Sequence, residues 1–328
     1  MPFTTLPLPT GMFDQRTEPF GSLEQITFFN DSSGDLISFL PSYGACITRL
    51  VFKGTNIIDG FSDYEMLQTD ERFRSAWLFP WVNRIKDGKY SFEGREYQLP
   101  VNEKQRNTAL HGFAFGQKFI LEDVGLSENI ATARFTYRYD GHFPGYPFPF
   151  DLELDYVFSG KEGFTANYQV TNQGKFNMPF GAGFHPYFCF DDRDVSGWHL
   201  QLPDIKHHFL TDERLIPTGE TVSFDHFTQP KPLGDIELDH CFALAAEDEK
   251  VETILYDAEK KQQIRVWQEC GEDQFNFLQV FIPPTRDVIA LETISSGIDA
   301  FNNGQGLIII EPGQSREASM GIQMTHSG

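Results

Sequence analysis

Basic residues are scarce in this chain of 328: 26 Lys and Arg stand against 47 Asp and Glu, a formal charge of −21. Nucleic acids and anionic membrane surfaces are held by basic patches, so the balance argues against both as partners. Long hydrophobic runs are missing as well. No stretch approaches the ~20 apolar residues of a membrane-spanning helix. The N-terminal stretch from Met1 has neither the basic start nor the apolar core of a secretory signal. Cysteine is limited to Cys46, Cys189, Cys241 and Cys270, too scattered for a zinc or redox motif. Reduced thiols in a cytoplasmic protein are the expectation. Helical periodicity is rare, and there is no phosphate-cradling glycine loop, nucleotide fingerprint or nucleophile elbow.

Aromatics, by contrast, are abundant, with 33 Phe and 15% Phe, Trp and Tyr together. A chain this rich in large apolar side chains can bury an extensive core. Short runs of β-type residues recur between turn clusters. Gln25–Leu40 reads as a hairpin around Asn30-Asp-Ser-Ser-Gly34, and Tyr90–Leu99 as a tighter one around Glu93-Gly94. Phe150–Phe158 alternates apolar and polar residues and pairs naturally with Phe164–Thr171. Further strands are expected at about 45–52, 118–124, 130–139, 198–202, 251–256, 263–268, 275–282, 288–293, 306–310 and 317–324, and a short helix within 61–76. The pattern predicts an all-β sandwich or barrel. Residues 1–20, rich in Pro and Thr, are expected to form an N-terminal arm on a single domain of residues 21–328.

Five polar residues stand in unusual settings. His185 lies between a glycine-rich approach, Gly181 and Gly183, and Pro186, which pushes it toward extended backbone. A satisfied core histidine and a titrating acid both fit there. Arg84 follows the aromatic run Trp77–Val82 and either snorkels to the surface or offers a guanidinium fork to a ligand. His111 is a second glycine-flanked histidine, in Leu110-His-Gly-Phe-Ala-Phe-Gly116. Asp239 follows a proline-rich loop and either caps a turn or accepts hydroxyl hydrogen bonds. Glu292 sits in the apolar run Val288–Ile294, on one face with Ala290 and Ile294. Partial burial would raise its pKa toward that of a general base. An imidazole, a carboxylate, an arginine and aromatic walls suit proton transfer on a neutral polyol.

Several separated motifs, in order, resemble those of the aldose 1-epimerase (galactose mutarotase) family. They are Asn83-Arg84-Ile85 with Gly88–Phe92, Leu110-His111-Gly112, His185-Pro186-Tyr187-Phe188, Leu238–Phe242, Ala290-Leu291-Glu292-Thr293 with Asp299–Asn302, and Glu311-Pro-Gly-Gln314. The resemblance implies a large antiparallel β-sandwich, the mutarotase-like supersandwich, whose open sheet binds a hexose such as galactose or glucose, with no cofactor. It assigns the catalytic acid to His185 and the base to Glu292, and gives sugar hydroxyls to Arg84, His111 and Asp239. The implied activity is interconversion of α and β anomers. In that scheme the active free enzyme carries a protonated imidazole and an ionised carboxylate. Phe184 stands where many members have Asn, and Phe113 where many have a second Gly. Both are expected at the site wall.

Other readings stand beside this one. A non-catalytic sugar-binding protein could share the fold. His111, His185, Asp239 and Glu292 could together ligate zinc or manganese. A glycoside hydrolase would use Glu292 and Asp239 as facing carboxylates, leaving both histidine motifs without a role.

Overall fold

Alternation sets the large sheet. Along Phe150–Ser159 the side chains of Phe150, Leu152, Leu154, Tyr156 and Phe158 are buried, while Glu153 and Val157 between them are exposed. Successive residues of a strand point to opposite faces, so one face of this strand is core. The computed structural model describes residues 11–190, 194–245 and 250–326. In it this strand pairs with Ala131–Tyr139 on one side and Gly163–Asn172 on the other. The sheet continues through Ser315–His326, Gln262–Glu269, Lys250–Asp257 and Trp198–Gln201, reaching nine strands.

Two further sheets cover its apolar face. A five-stranded N-terminal sheet runs in sequence order from Asp14–Phe20 to Thr55–Asn56. An eight-stranded sheet carries Pro217–Val222, Ile205–Thr211, Asp239–Leu244, Phe277–Phe281, Ile289–Ile294, Gly183–His185 and Ala76–Leu78 in that order, with Tyr187–Phe188 also on Ile289–Ile294. Both pack on the large sheet through aromatic edges. Phe39 meets Phe135 and Tyr156 from the first, and Trp77 donates its indole N–H to the Tyr156 hydroxyl at 2.6 Å from the second. All named strand pairs are antiparallel, and among the described residues none of the sheets closes on itself, in line with the sandwich expectation.

Three expectations change in detail. Of the N-terminal arm, residues 1–10 lie outside the described residues, and Asp14–Phe20 is an edge strand paired along its length with Leu23–Phe29. The helix expected in 61–76 is confined to Tyr64–Gln68, capped by the Asp63 carboxylate on the Met66 N–H. The chain then leaves helical geometry, with Phe73 and Ser75 in the left-handed region. Of the two alternatives for Asp239, the turn cap gives way, since the residue opens a strand.

Candidate active site

The site is two neighbouring rows of side chains on one face of the eight-stranded sheet. Cross-strand neighbours on a sheet face touch, so register decides which groups meet. Glu292 pairs with Gln279, and Gln279 with Cys241. On the other side, Gly183 and Phe184 pair with Ile294 and Thr293, and His185 continues that register to stand beside Glu292. The His185 Nε2 lies 3.3 Å from the Glu292 Oε1, with both side chains almost completely buried. Two residues further along, Asp239, Phe281, Ala290 and Tyr187 form the second row.

The glycine before His185 works by space and not by backbone freedom. Gly183 has no unusual φ, but a Cβ there would sit 2.7 Å from Ile294 Cγ2 and 2.9 Å from Val82 Cγ1. Gly112 needs both. Its φ is +69°, and a Cβ would fall 2.0 Å from the Phe79 carbonyl oxygen. That turn carries His111, itself left-handed at φ 62° and bonded reciprocally to Asn83, left-handed at φ 52°. The His111 N–H donates to the Asn83 carbonyl at 3.0 Å, and the Asn83 N–H donates to His111 Nδ1 at 3.2 Å. Non-glycine residues held in this region are strained and concentrate at functional sites. Because Nδ1 accepts, a neutral His111 carries its proton on Nε2.

A chain of amides links the remaining groups. The Asn83 side chain donates to Gln279 Oε1 at 3.1 Å, and Gln279 Nε2 donates to Asp239 Oδ1 at 2.8 Å. Arg84 donates from Nη1 to Asn83 Oδ1 at 3.3 Å, while its Nε and Nη2 go to Glu103. All five predicted residues, with Gln279 and Glu103, line one cavity of about 850 Å³. Its walls add Phe73, Phe115, Tyr187 and Phe281. The expected wall residues Phe184 and Phe113 do not reach it. Alternation turns Phe184 away from His185 into the core, where it stacks on Trp77 at 4.8 Å. Phe113, after the Gly112 turn, stacks on Phe143 at 4.3 Å beside Trp81 and Tyr139.

Burial governs protonation here. Desolvation pushes the His185 imidazole down to about 3 and holds His111 well below the ordinary imidazole value, with the His185 and Arg84 charges adding to the latter. Desolvation pushes the Glu292 carboxyl well up, reinforced by Asp239 and opposed by Arg84. Burial therefore favours a neutral imidazole beside a protonated carboxyl. This is the reverse of the ion pair expected from sequence, with the same single proton. Glu292 Oε2 is buried and makes no hydrogen bond to another group of the protein. Of the four-residue metal set, three come together: ligand atoms of His111, His185 and Glu292 lie within 4.8 Å of one another, and Asp239 is not among them.

Comparison with known proteins settles the family. The sequence pattern described as aldose 1-epimerase matches residues 32–323. The chain belongs to the aldose 1-epimerase family. It is similar to the uncharacterized protein YihR of Escherichia coli K12, 28% identical over 288 residues that cover 86% of this chain and 88% of the relative. The galactose mutarotase of Rattus norvegicus is 28% identical over 257 residues, 70% of each chain. Among solved structures, a galactose mutarotase-like protein from Clostridium acetobutylicum superposes with a TM-score of 0.84 at 18% identity, covering 96% of this chain and 99% of that one. The galactose 1-epimerase of Lactobacillus acidophilus NCFM gives 0.79 at 16% identity, over 96% and 99% of the two chains. Membership makes the chain an aldose 1-epimerase enzyme with a sugar substrate and a mutarotase-type function. No helix among the described residues is long and apolar enough to cross a membrane.

Gln279 escaped the sequence reading, although its signal was that of Glu292: a polar side chain in the apolar run Phe277-Leu-Gln-Val-Phe281. Glu103 sits in a polar loop where nothing marks it.

Proposed function

We propose that the enzyme interconverts the α and β anomers of a hexose such as galactose or glucose, with His185 and Glu292 as its proton-transfer pair. The carrying observation is their 3.3 Å contact at the floor of an open cavity, one carboxylate oxygen unpartnered. Glu292 takes the proton of the C1 hydroxyl and His185 donates to the ring oxygen. The ring opens to the aldehyde, rotation about C1–C2 presents the other carbonyl face, and the two groups reverse roles on closure. Direct contact between them lets the single proton pass to the imidazole as sugar hydroxyls replace the water that burial removed. Arg84 favours the carboxylate at that moment, since its charge opposes the upward shift. His111, with Nε2–H toward the cavity, donates to a hydroxyl; Asp239, steadied by Gln279, accepts from one. The non-catalytic reading is supported by no separate observation, since such a protein has no need of a strained turn and a dry acid–base pair.

Polarimetry of freshly dissolved α-galactose and α-glucose tests this. The rotation is expected to reach equilibrium faster with the protein than in matched buffer, in proportion to protein concentration. Decay curves identical to buffer for both sugars would remove the reading.

A further inference from the structure

We infer that Glu103 is a positioning residue for the sugar-binding guanidinium of Arg84, a clamp without which the site binds sugar poorly. The inference rests on the reading of Arg84 as a hydroxyl donor. Two parallel bonds define the clamp: Nε to Oε2 at 2.8 Å and Nη2 to Oε1 at 3.0 Å. Side-chain exposure of 13% for Arg84 and 7% for Glu103 removes the pair from the screened regime of surface ion pairs. An arginine side chain is long and rotamer-rich, and fixing it costs conformational entropy. A bidentate carboxylate fixes both its position and its plane.

Glu103 is itself held from three directions. Arg106 donates to Oε1 at 2.8 Å, and the Thr108 hydroxyl donates to Oε2 at 2.5 Å. The backbones of Glu103 and Thr108 bond to each other both ways at 3.2 Å. Burial alone would raise the Glu103 carboxyl, but bonding and charge from Arg84 lower it below its usual value, so it is ionised and takes charge-assisted bonds. A guanidinium has five N–H donors. Glu103 takes two and Asn83 one, and the rest remain for the cavity.

The test is Glu103→Gln, with rates on the sugar that the wild type turns over. Losing a charge-assisted clamp is expected to raise KM about tenfold or more while kcat stays within about threefold. A merely structural role would lower Tm without that split. In an Arg84→Ala background, Glu103→Gln is expected to add no further rise in KM. Unchanged KM in Glu103→Gln, or an equal rise in both backgrounds, overturns the clamp. If Arg84→Ala alone leaves KM unchanged, the reading of Arg84 fails and the clamp fails with it. If Arg84→Ala raises KM and Glu103→Gln does not, only the clamp fails. Should Glu103→Gln not fold, Thr108→Val removes one bond to the carboxylate and decides the matter. A severalfold rise in KM supports the clamp, and none overturns it.

Discussion

Glu292 occupies a position that works against the stability of the fold. Its carboxyl is buried beside His185, faces Gln279 across the sheet, and keeps its proton where a solvated glutamic acid would lose it. The linkage follows from the direction of that shift. Below the unfolded-state value, near pH 4.3, both states are protonated and burial carries no proton-linked cost. As pH rises, the unfolded chain ionises and the folded one does not, so the folded state loses stability until its own raised pKa is passed. Glutamine keeps the shape and has no proton to lose. Glu292→Gln is therefore expected to melt with the wild type below about pH 4 and about 2 °C or more above it at neutral pH, while mutarotation falls to under a tenth. Melting curves across pH with rates on the same samples check both halves. A variant as active as wild type would end the base assignment; equal Tm at neutral pH would mean that the carboxyl is not held protonated.

At the scale of elements, the turn Leu110-His111-Gly112 shows how a strand end is locked to present a side chain. The Phe79 carbonyl receives the N–H groups of Phe113 at 2.9 Å and Ala114 at 3.1 Å, and Gly112 lies against it where a methyl group has no room. Gly112→Ala adds a Cβ at a left-handed φ and against backbone that two bonds hold in place. The expected cost is about 2–4 kcal/mol by chemical denaturation, with a sharp loss of activity as His111 shifts. A variant as stable as wild type would show that the turn can move. The same scale separates what could be read from sequence from what could not. Phe150–Ser159 and Gly163–Asn172 were legible because each carries a clean period of two and a short turn joins them. Ile205–Thr211 and Pro217–Val222 were not, since these outer strands are largely polar and half-exposed and show no such period. Glu292 stood out as a charge among Val, Ile, Ala and Leu; Gln279, one strand away, carries no charge and did not. Phe184 and Phe113 depart from the residues of the family motifs beside His185 and His111, yet in a strand or after a turn the adjacent side chain points elsewhere. Glu103 could emerge only from the fold, because it meets Arg84 across a loop and a sheet.

The whole molecule is bound through shared aromatic contacts and not through a seam. The main apolar cluster draws from all three large sheets: Phe28 and Phe39 from the N-terminal one, Phe135, Tyr156 and Phe164 from the nine-stranded one, and Trp77 and Phe184 from the sheet that carries the site. Tyr156 lies at the junction. Its ring meets Phe39 at 6.0 Å and Phe135 at 5.0 Å, and its hydroxyl accepts from Trp77 and donates to the Ala45 carbonyl at 2.7 Å. No sheet can leave without exposing apolar surface on the others, which is the condition for all-or-none unfolding. We propose on this ground that residues 21–328 unfold as one unit. Trp77 is buried at that junction and Trp267 lies in the nine-stranded sheet, so tryptophan fluorescence reports on both sheets while far-UV circular dichroism reports on all strands. The two signals are expected to give one urea transition with a common midpoint and slope. Tyr156→Phe deletes the hydroxyl between Trp77 and Ala45 and is expected to lower the unfolding free energy by roughly 1–3 kcal/mol, moving the midpoint down with the transition still single. Midpoints that separate by probe in the wild type would mean that one sheet can melt alone, and the single-unit proposal would fall.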